Sequence, residues 1–125
     1  MKKIVNTENA PKPLGPYSQT VKVDKLLFIS GQLPIDPKEG KITTNDIKGQ
    51  TIQVMENTKA ILQAAGYNFS DVVQTNVYLS SMVLFSDFNS VYAKYFDKAF
   101  PARATIGTQL VAGALIEISM VAYKK

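Results

Sequence analysis

The sequence predicts an α+β fold: a mixed, mostly antiparallel sheet carrying two helices on one face. Three observations lead there. Stretches 18–23, 26–30 and 72–79 alternate apolar and polar residues or run apolar over strand length. Stretches 46–65 and 83–97 repeat their apolar residues at helical spacing. The strands come as a hairpin first and a pair last, with the helices set between them.

Residues 3–6 read as a short extended segment. Ala10-Pro11-Lys12-Pro13-Leu14-Gly15-Pro16 then packs three prolines and a glycine into seven residues, so it is a rigid loop. It delivers Tyr17, either a packing anchor or a group that reaches a pocket. Strand 18–23 turns at Asp24-Lys25 into a buried strand, 26–30, and the two pair as a hairpin. Gly31 lets the backbone bend there, or lets another group come close. Residues 33–40 form a proline and glycine loop.

Thr44 or Asn45 caps the first helix, 46–65, with Asp46 in its first turn. Its core face holds Ile47, Thr51, Val54, Met55, Thr58, Ile61, Leu62 and Ala65, and Gly66 stops it. Lys48, Gln53, Glu56, Asn57, Lys59 and Gln63 are expected in solvent. In strand 72–79, Val73, Thr75, Val77 and Leu79 share one face. Phe85, Phe88, Tyr92, Tyr95 and Phe96 make an aromatic stripe on a second helix, 83–97, and such a stripe is core. Strands 102–110 and 114–123 close the chain, as neighbours. With the helices on one face, the other apolar face needs cover, so self-association with closed cyclic symmetry is expected.

At 125 residues the chain fits one domain, 1–125. At 46% hydrophobic it can build a core, and it has no apolar run of the roughly 20 residues a membrane span needs. The start is basic without a signal-like apolar stretch, so a cytoplasmic location is expected. No Cys and no His excludes disulfides, thiolate chemistry, serine–histidine catalysis and the usual zinc sites. No phosphate loop or dinucleotide fingerprint occurs, and neither metal nor cofactor is implied. The net charge of +4 comes from 14 basic and 10 acidic residues scattered along the chain, so no specific nucleic-acid partner is expected.

Two charges sit inside the last two apolar stretches: Arg103 and Glu117. A charge within a buried strand is costly unless it is paired or used. Adjacent strands would bring the two together, as an internal salt bridge or as a site. In a site, Arg103 fixes a small carboxylate and Glu117 orients water and moves its proton. A C=N bond is a natural target, because it hydrolyses without a covalent catalyst. Tyr17, Ser30, Asn89 and Thr105 complete the polar set.

Residues across nearly the whole chain resemble the reactive intermediate deaminase (RidA, YjgF-like) family. They are the loop from Asn6 with Gly15-Pro16-Tyr17-Ser18-Gln19, and Phe28-Ile29-Ser30-Gly31-Gln32-Leu33-Pro34 with Asp36-Pro37 and Gly40. Asn57 to Gly66, Asn89-Ser90-Val91-Tyr92, Phe100-Pro101-Ala102-Arg103, and Gly113-Ala114 with Ile116-Glu117-Ile118 follow in order. The resemblance implies a chorismate-mutase-like α+β fold, a homotrimer and clefts between subunits. It implies hydrolysis of 2-imino and enamino acids, such as 2-iminobutanoate and 2-iminopropanoate, to 2-oxo acids and ammonia. Arg103 would bind the substrate carboxylate and Glu117 would activate water. Tyr17, Ser30, Gly31, Asn89 and Thr105 would line the pocket. A noncatalytic ligand-binding regulator and an RNA-directed translation inhibitor are the rival readings. Thr105 stands where many relatives have cysteine, Val111 where proline is usual, and the Arg103–Glu117 interval is one residue short. A one-residue slip would turn Glu117 to the opposite face.

Overall fold

The computed structural model describes residues 1–125. Its main sheet has six strands: β1 (Lys3–Val5), β2 (Thr20–Val23), β3 (Leu26–Gln32), β6 (Val72–Leu79), β7 (Ala102–Gly107) and β8 (Ile116–Tyr123). Between β3 and β6 the chain forms a small hairpin, β4 (Ile35–Asp36) and β5 (Lys41–Ile42), then helix α1 (Ile47–Ala64). Helix α2 (Phe85–Tyr92) lies between β6 and β7. The strand order is β1-β2-β3-β8-β6-β7. Every pair is antiparallel except β6 and β7.

This order corrects the expectation that the last two strands are neighbours, because β6 lies between them. The reason is in the β6–α2–β7 unit: a strand, a covering helix and a second strand return in parallel. β8 then enters on the free side of β6.

One face of the sheet meets the helices. Leu27, Val77, Leu79, Ile116, Ile118 and Ala122 are there, each at most 1% exposed, against Val54, Met55, Ile61 and Leu62 of α1 and Phe88 of α2. Burying such aliphatic side chains contributes about 1.5–3 kcal/mol each. The opposite face is uncovered. Strand β3 is therefore buried on one side only: Leu27 and Ile29 point in, whereas Leu26 and Phe28 are exposed. The β6 alternation also breaks. Val72 pairs with Ala122 and Gln74 with Val121, so Val73 is an extra residue, a bulge that turns it outward.

Helix α1 begins at an N-cap formed by Asp46 itself, whose carboxylate accepts from Gly49 N at 3.3 Å. It stops before Gly66, which adopts φ +82°. Its expected core face is buried from Ile47 to Leu62, with Ala65 half-buried at its C-cap, but Asn57, expected in solvent, is 1% exposed. The second helical stretch is shorter than 83–97: α2 is flanked by tight 3-10 turns at Met82–Leu84 and Ala93–Tyr95. Ser81 opens it by accepting from Val83 N. Phe88, Tyr92 and Phe96 of the aromatic stripe are core and Tyr95 is half-buried, but Phe85, at the start of α2, is exposed. Phe69, Tyr92, Tyr95 and Phe96 make tilted and edge contacts. β7 ends at Gly107, and a 3-10 turn at Val111–Gly113 delays β8 to Ile116.

Candidate functional site

Glu117 lies on β8 between Ile116 and Ile118, both fully buried toward the helices. Strand alternation therefore turns Glu117 to the uncovered face. The neighbouring β3 makes room for it. Ile29 pairs with Met120 and Gln32 with Ile118, so Ser30 and Gly31 stand opposite Ser119 alone. This bulge opens the ladder, and the Glu117 carboxyl occupies the gap beside Gly31, where any β-carbon would collide with its Oε2. Gly31 thus serves the site by what it lacks. Burial pushes the Glu117 carboxyl above the usual carboxylate range.

The proline-rich loop walls the same pocket through Leu14, Pro16 and Tyr17, with Leu33 and Val111 opposite. The Tyr17 hydroxyl accepts from Leu14 N at 3.0 Å and so braces its own loop. The buried Gln19 holds that loop from beneath: its amide accepts from Thr7 N and donates to Thr7 O and Pro11 O. Ser30 Oγ donates to Ser18 O, so its proton is committed to the backbone. Pocket, loop and bulge bring Tyr17, Ser30, Gly31 and Glu117 together.

Arg103 is elsewhere. On β7 it pairs with Thr75, whose fully buried hydroxyl is 2.8 Å from the Tyr92 hydroxyl. Arg103 therefore lies on the helix side of the sheet, at its edge. Its guanidinium sits over the rings of Tyr92, Phe88 and Phe85, at 4.9, 5.2 and 5.6 Å from their centroids. Such contacts are worth roughly 0.5–2 kcal/mol each. Burial raises the Tyr92 phenol even though Thr75 and Arg103 pull it down. Asn89, Phe100 and Pro101 share the opening beside Arg103. Thr105 follows on the same side, its hydroxyl buried without a partner.

The internal Arg103–Glu117 salt bridge is thus overturned. The two charges lie on opposite faces of one sheet, two strands apart, and no carboxylate pairs with Arg103. The candidate residues divide into a Glu117 half and an Arg103 half. No group of three or more acidic residues is gathered as a metal ion requires. The sequence reading also missed the buried amides Gln19, Gln32, Gln50 and Asn57. The nearest signal for Asn57 was its place at the edge of the apolar stripe of α1.

The scattered bases are also less scattered in space. Lys3 pairs with Lys22 across β1 and β2, and Lys124 N bonds Lys25 O. Lys22 lies over the Tyr67 ring, and Lys124 Nζ donates to Gly66 O at the end of α1. With Lys125, five lysines meet at one end of the sheet.

A family model described as endoribonuclease L-PSP matches residues 7–124. A RutC family protein of Pyrococcus horikoshii is 54% identical over 126 residues, covering all of both chains. Reactive Intermediate Deaminase A, chloroplastic, of Arabidopsis thaliana is 43% identical over 122 residues, 97% of this chain and 65% of that protein. The crystal structure of RidA from an Antarctic Psychrobacter superposes with a TM-score of 0.94 at 38% identity, covering 98% of this chain and 99% of that one. No helix is long and apolar enough to cross a membrane.

Proposed function

The chain belongs to the endoribonuclease L-PSP family, which includes RutC and RidA/YjgF proteins, and from that premise we propose that it hydrolyses small 2-imino acids. Water adds to the C=N carbon, the carbinolamine collapses, and the products are a 2-oxo acid and ammonia. Enamino acids enter as their imine tautomers, with 2-iminobutanoate and 2-iminopropanoate as substrates. Arg103 holds the carboxylate by charge-assisted hydrogen bonds. The Glu117 carboxylate takes a proton from the attacking water and passes it to the departing nitrogen. Burial raises its pKa, which makes it a stronger base than an ordinary carboxylate and a group able to hold the proton between the two steps. Tyr17, Gly31 and Asn89 shape the pocket; Ser30 acts through the backbone it holds, and Thr105 through its own backbone.

The observation that carries this reading is the unpaired guanidinium of Arg103 beside an opening at the sheet edge. Because Glu117 faces the other way, one substrate can meet both only between two copies. We therefore place the complete site in a cleft where the Arg103 half of one copy meets the Glu117 half of the next. Such a head-to-tail contact closes into a ring, here a homotrimer. The uncovered sheet face, with Phe28, Val73 and Tyr123 exposed, supplies apolar surface for it.

The test follows ammonia release from an imine generated in situ by an amino-acid dehydratase. Wild type accelerates release and Arg103→Ala does not. Equal rates for the two overturn the enzyme reading and leave a noncatalytic ligand-binding regulator. Mixed oligomers of Arg103→Ala and Glu117→Gln regain activity if the site is shared.

A second reading, contact with RNA, is favoured by the lysine end alone. It has no general base: the Tyr67 hydroxyl is spent on Lys25 O and Asp24 is in the turn. It predicts salt-sensitive binding without cleavage, unchanged in Arg103→Ala.

A further inference from the structure

Helix α1 contributes no side chain to the pocket around Glu117, yet two of its buried amides hold both chain segments that form it. Asn57 is 1% exposed and spends its two amide protons on Leu33 O at 3.1 Å and Ile35 O at 2.9 Å. Its oxygen accepts from Gln53 Nε2 at 2.9 Å. Leu33 is a wall of the pocket and follows the Ser30–Gly31 bulge by two residues. About two turns earlier on the same helix, Gln50 is 3% exposed. Its oxygen accepts from Leu115 N at 2.8 Å, and its nitrogen donates to Thr44 O at 2.9 Å. Leu115 precedes Glu117 by two residues. Leu33, Ile35 and Ala114 also pack as a small apolar cluster of their own, which ties the two segments together.

Both bonded positions lie just outside the main-sheet ladders. Leu33 follows the bulged end of β3, and Leu115 precedes β8, where its carbonyl accepts from Ser80 N and its N–H is left to Gln50. A buried carbonyl or N–H without a partner is costly, so these bonds choose where the backbone rests. We propose that Gln50 and Asn57 are positioning residues that set the gap between Gly31 and the Glu117 carboxyl. This rests on the reading of Glu117 as the residue that handles water.

The gap matters because the carboxyl fits only while Gly31 stays where it is. Moving Leu33 outward lets water reach the carboxyl and loosens its aim. Displacements on the order of 1 Å cost up to about 10²-fold in rate. Asn57→Leu and Gln50→Leu therefore lower kcat by roughly 10- to 100-fold. The KM for an imino acid stays close to wild type, because Arg103 stands on β7, away from both segments. Gln50→Glu keeps an oxygen for Leu115 N and retains most of the kcat that Gln50→Leu loses. Thr51→Val is the control. Thr51 is fully buried on the same helix but bonds only to Ile47 O, so its loss loosens α1 without touching either segment.

The second readout does not need catalysis. Carbon-13 NMR titration of Glu117 follows its carboxyl directly. The other titratable groups facing it are Tyr17 in the pocket and Tyr78, its partner on β6. In Asn57→Leu and Gln50→Leu the Glu117 titration moves down toward the ordinary carboxylate range; in Thr51→Val and Gln50→Glu it stays with wild type. If wild type hydrolyses no imine, the deaminase reading fails while this titration still decides the positioning role. Wild-type titration and kcat in folded Gln50→Leu overturn the proposal, as does an equal shift in Thr51→Val. Should Asn57→Leu not fold, the Gln50→Leu and Gln50→Glu variants decide the matter by themselves.

Discussion

Glu117 and Arg103 are the two charges the chain keeps within its last strands, and they are kept in opposite ways. Glu117 sits mid-sheet, in a gap made by a bulge and a missing side chain. Its surroundings are shaped to fit it and raise its pKa. Arg103 sits on the edge strand, against three aromatic rings and beside an opening. Its guanidinium stacks on the rings, and no carboxylate pairs with it. The difference teaches that enclosure raises a carboxyl's pKa, whereas an edge position leaves a guanidinium with a front open to an anion.

The largest effects should come from breaking each half. With Glu117 as the proposed proton carrier, Glu117→Gln should lower kcat for imine hydrolysis roughly 10²–10⁴-fold with little change in KM. Arg103→Ala should instead act mainly on KM, raising it roughly 10–150-fold, as charge-assisted bonds worth about 1.5–3 kcal/mol disappear. Steady-state kinetics on both variants checks this split. If both move only kcat, the division of labour is wrong.

Gly31→Ala comes next, because it strikes the Glu117 half by space alone. The added methyl must evict the carboxyl, so activity should fall nearly as far as in Glu117→Gln, with KM preserved. A structure of the variant should show Glu117 turned away from β3.

A smaller effect concerns pH. The folded pKa of Glu117 is raised above its unfolded value, so the folded state binds more protons between the two. Stability from this residue is therefore lost as pH rises through that window, and Glu117→Gln should flatten that part of the stability curve. Denaturant titrations at several pH values measure it. The acid limb of kcat/KM should likewise lie above the ordinary carboxylate range. Arg103→Ala should leave that limb in place.

The smallest effect should be Thr105→Val. Its buried hydroxyl has no partner, so removing it should leave stability unchanged or raise it by up to about 1 kcal/mol. Activity should persist if Thr105 serves only through its backbone.

Much of this was legible before folding. The helical face of α1, the aromatic stripe of α2, the stop at Gly66 and the loop before Tyr17 follow from spacing and from the chemistry of Gly and Pro. The importance of Gly31 was visible as a place where another group comes close, though not which group. Asn57 was misplaced because helical spacing gives an angle around the axis, while burial depends on what packs there. The Leu33–Ile35 segment crosses its flank, and no local pattern announces that. Val73 was misplaced because one inserted residue reverses the alternation along β6.

By itself the sequence determined which chemistry is excluded: without Cys or His, acid–base work is left to Asp, Glu, Tyr, Lys and the backbone, and Arg103 and Glu117 stand out as charges within apolar strands. It also determined the two-layer architecture, because apolar periodicity is a property of the chain alone. Only the tertiary structure decided that Arg103 and Glu117 part company. Strand order depends on which unpaired edge each strand finds, and β8 found β3 and β6, leaving β7 at the border. Pairing of that kind is settled by competition among distant segments, so no stretch of sequence read locally contains it.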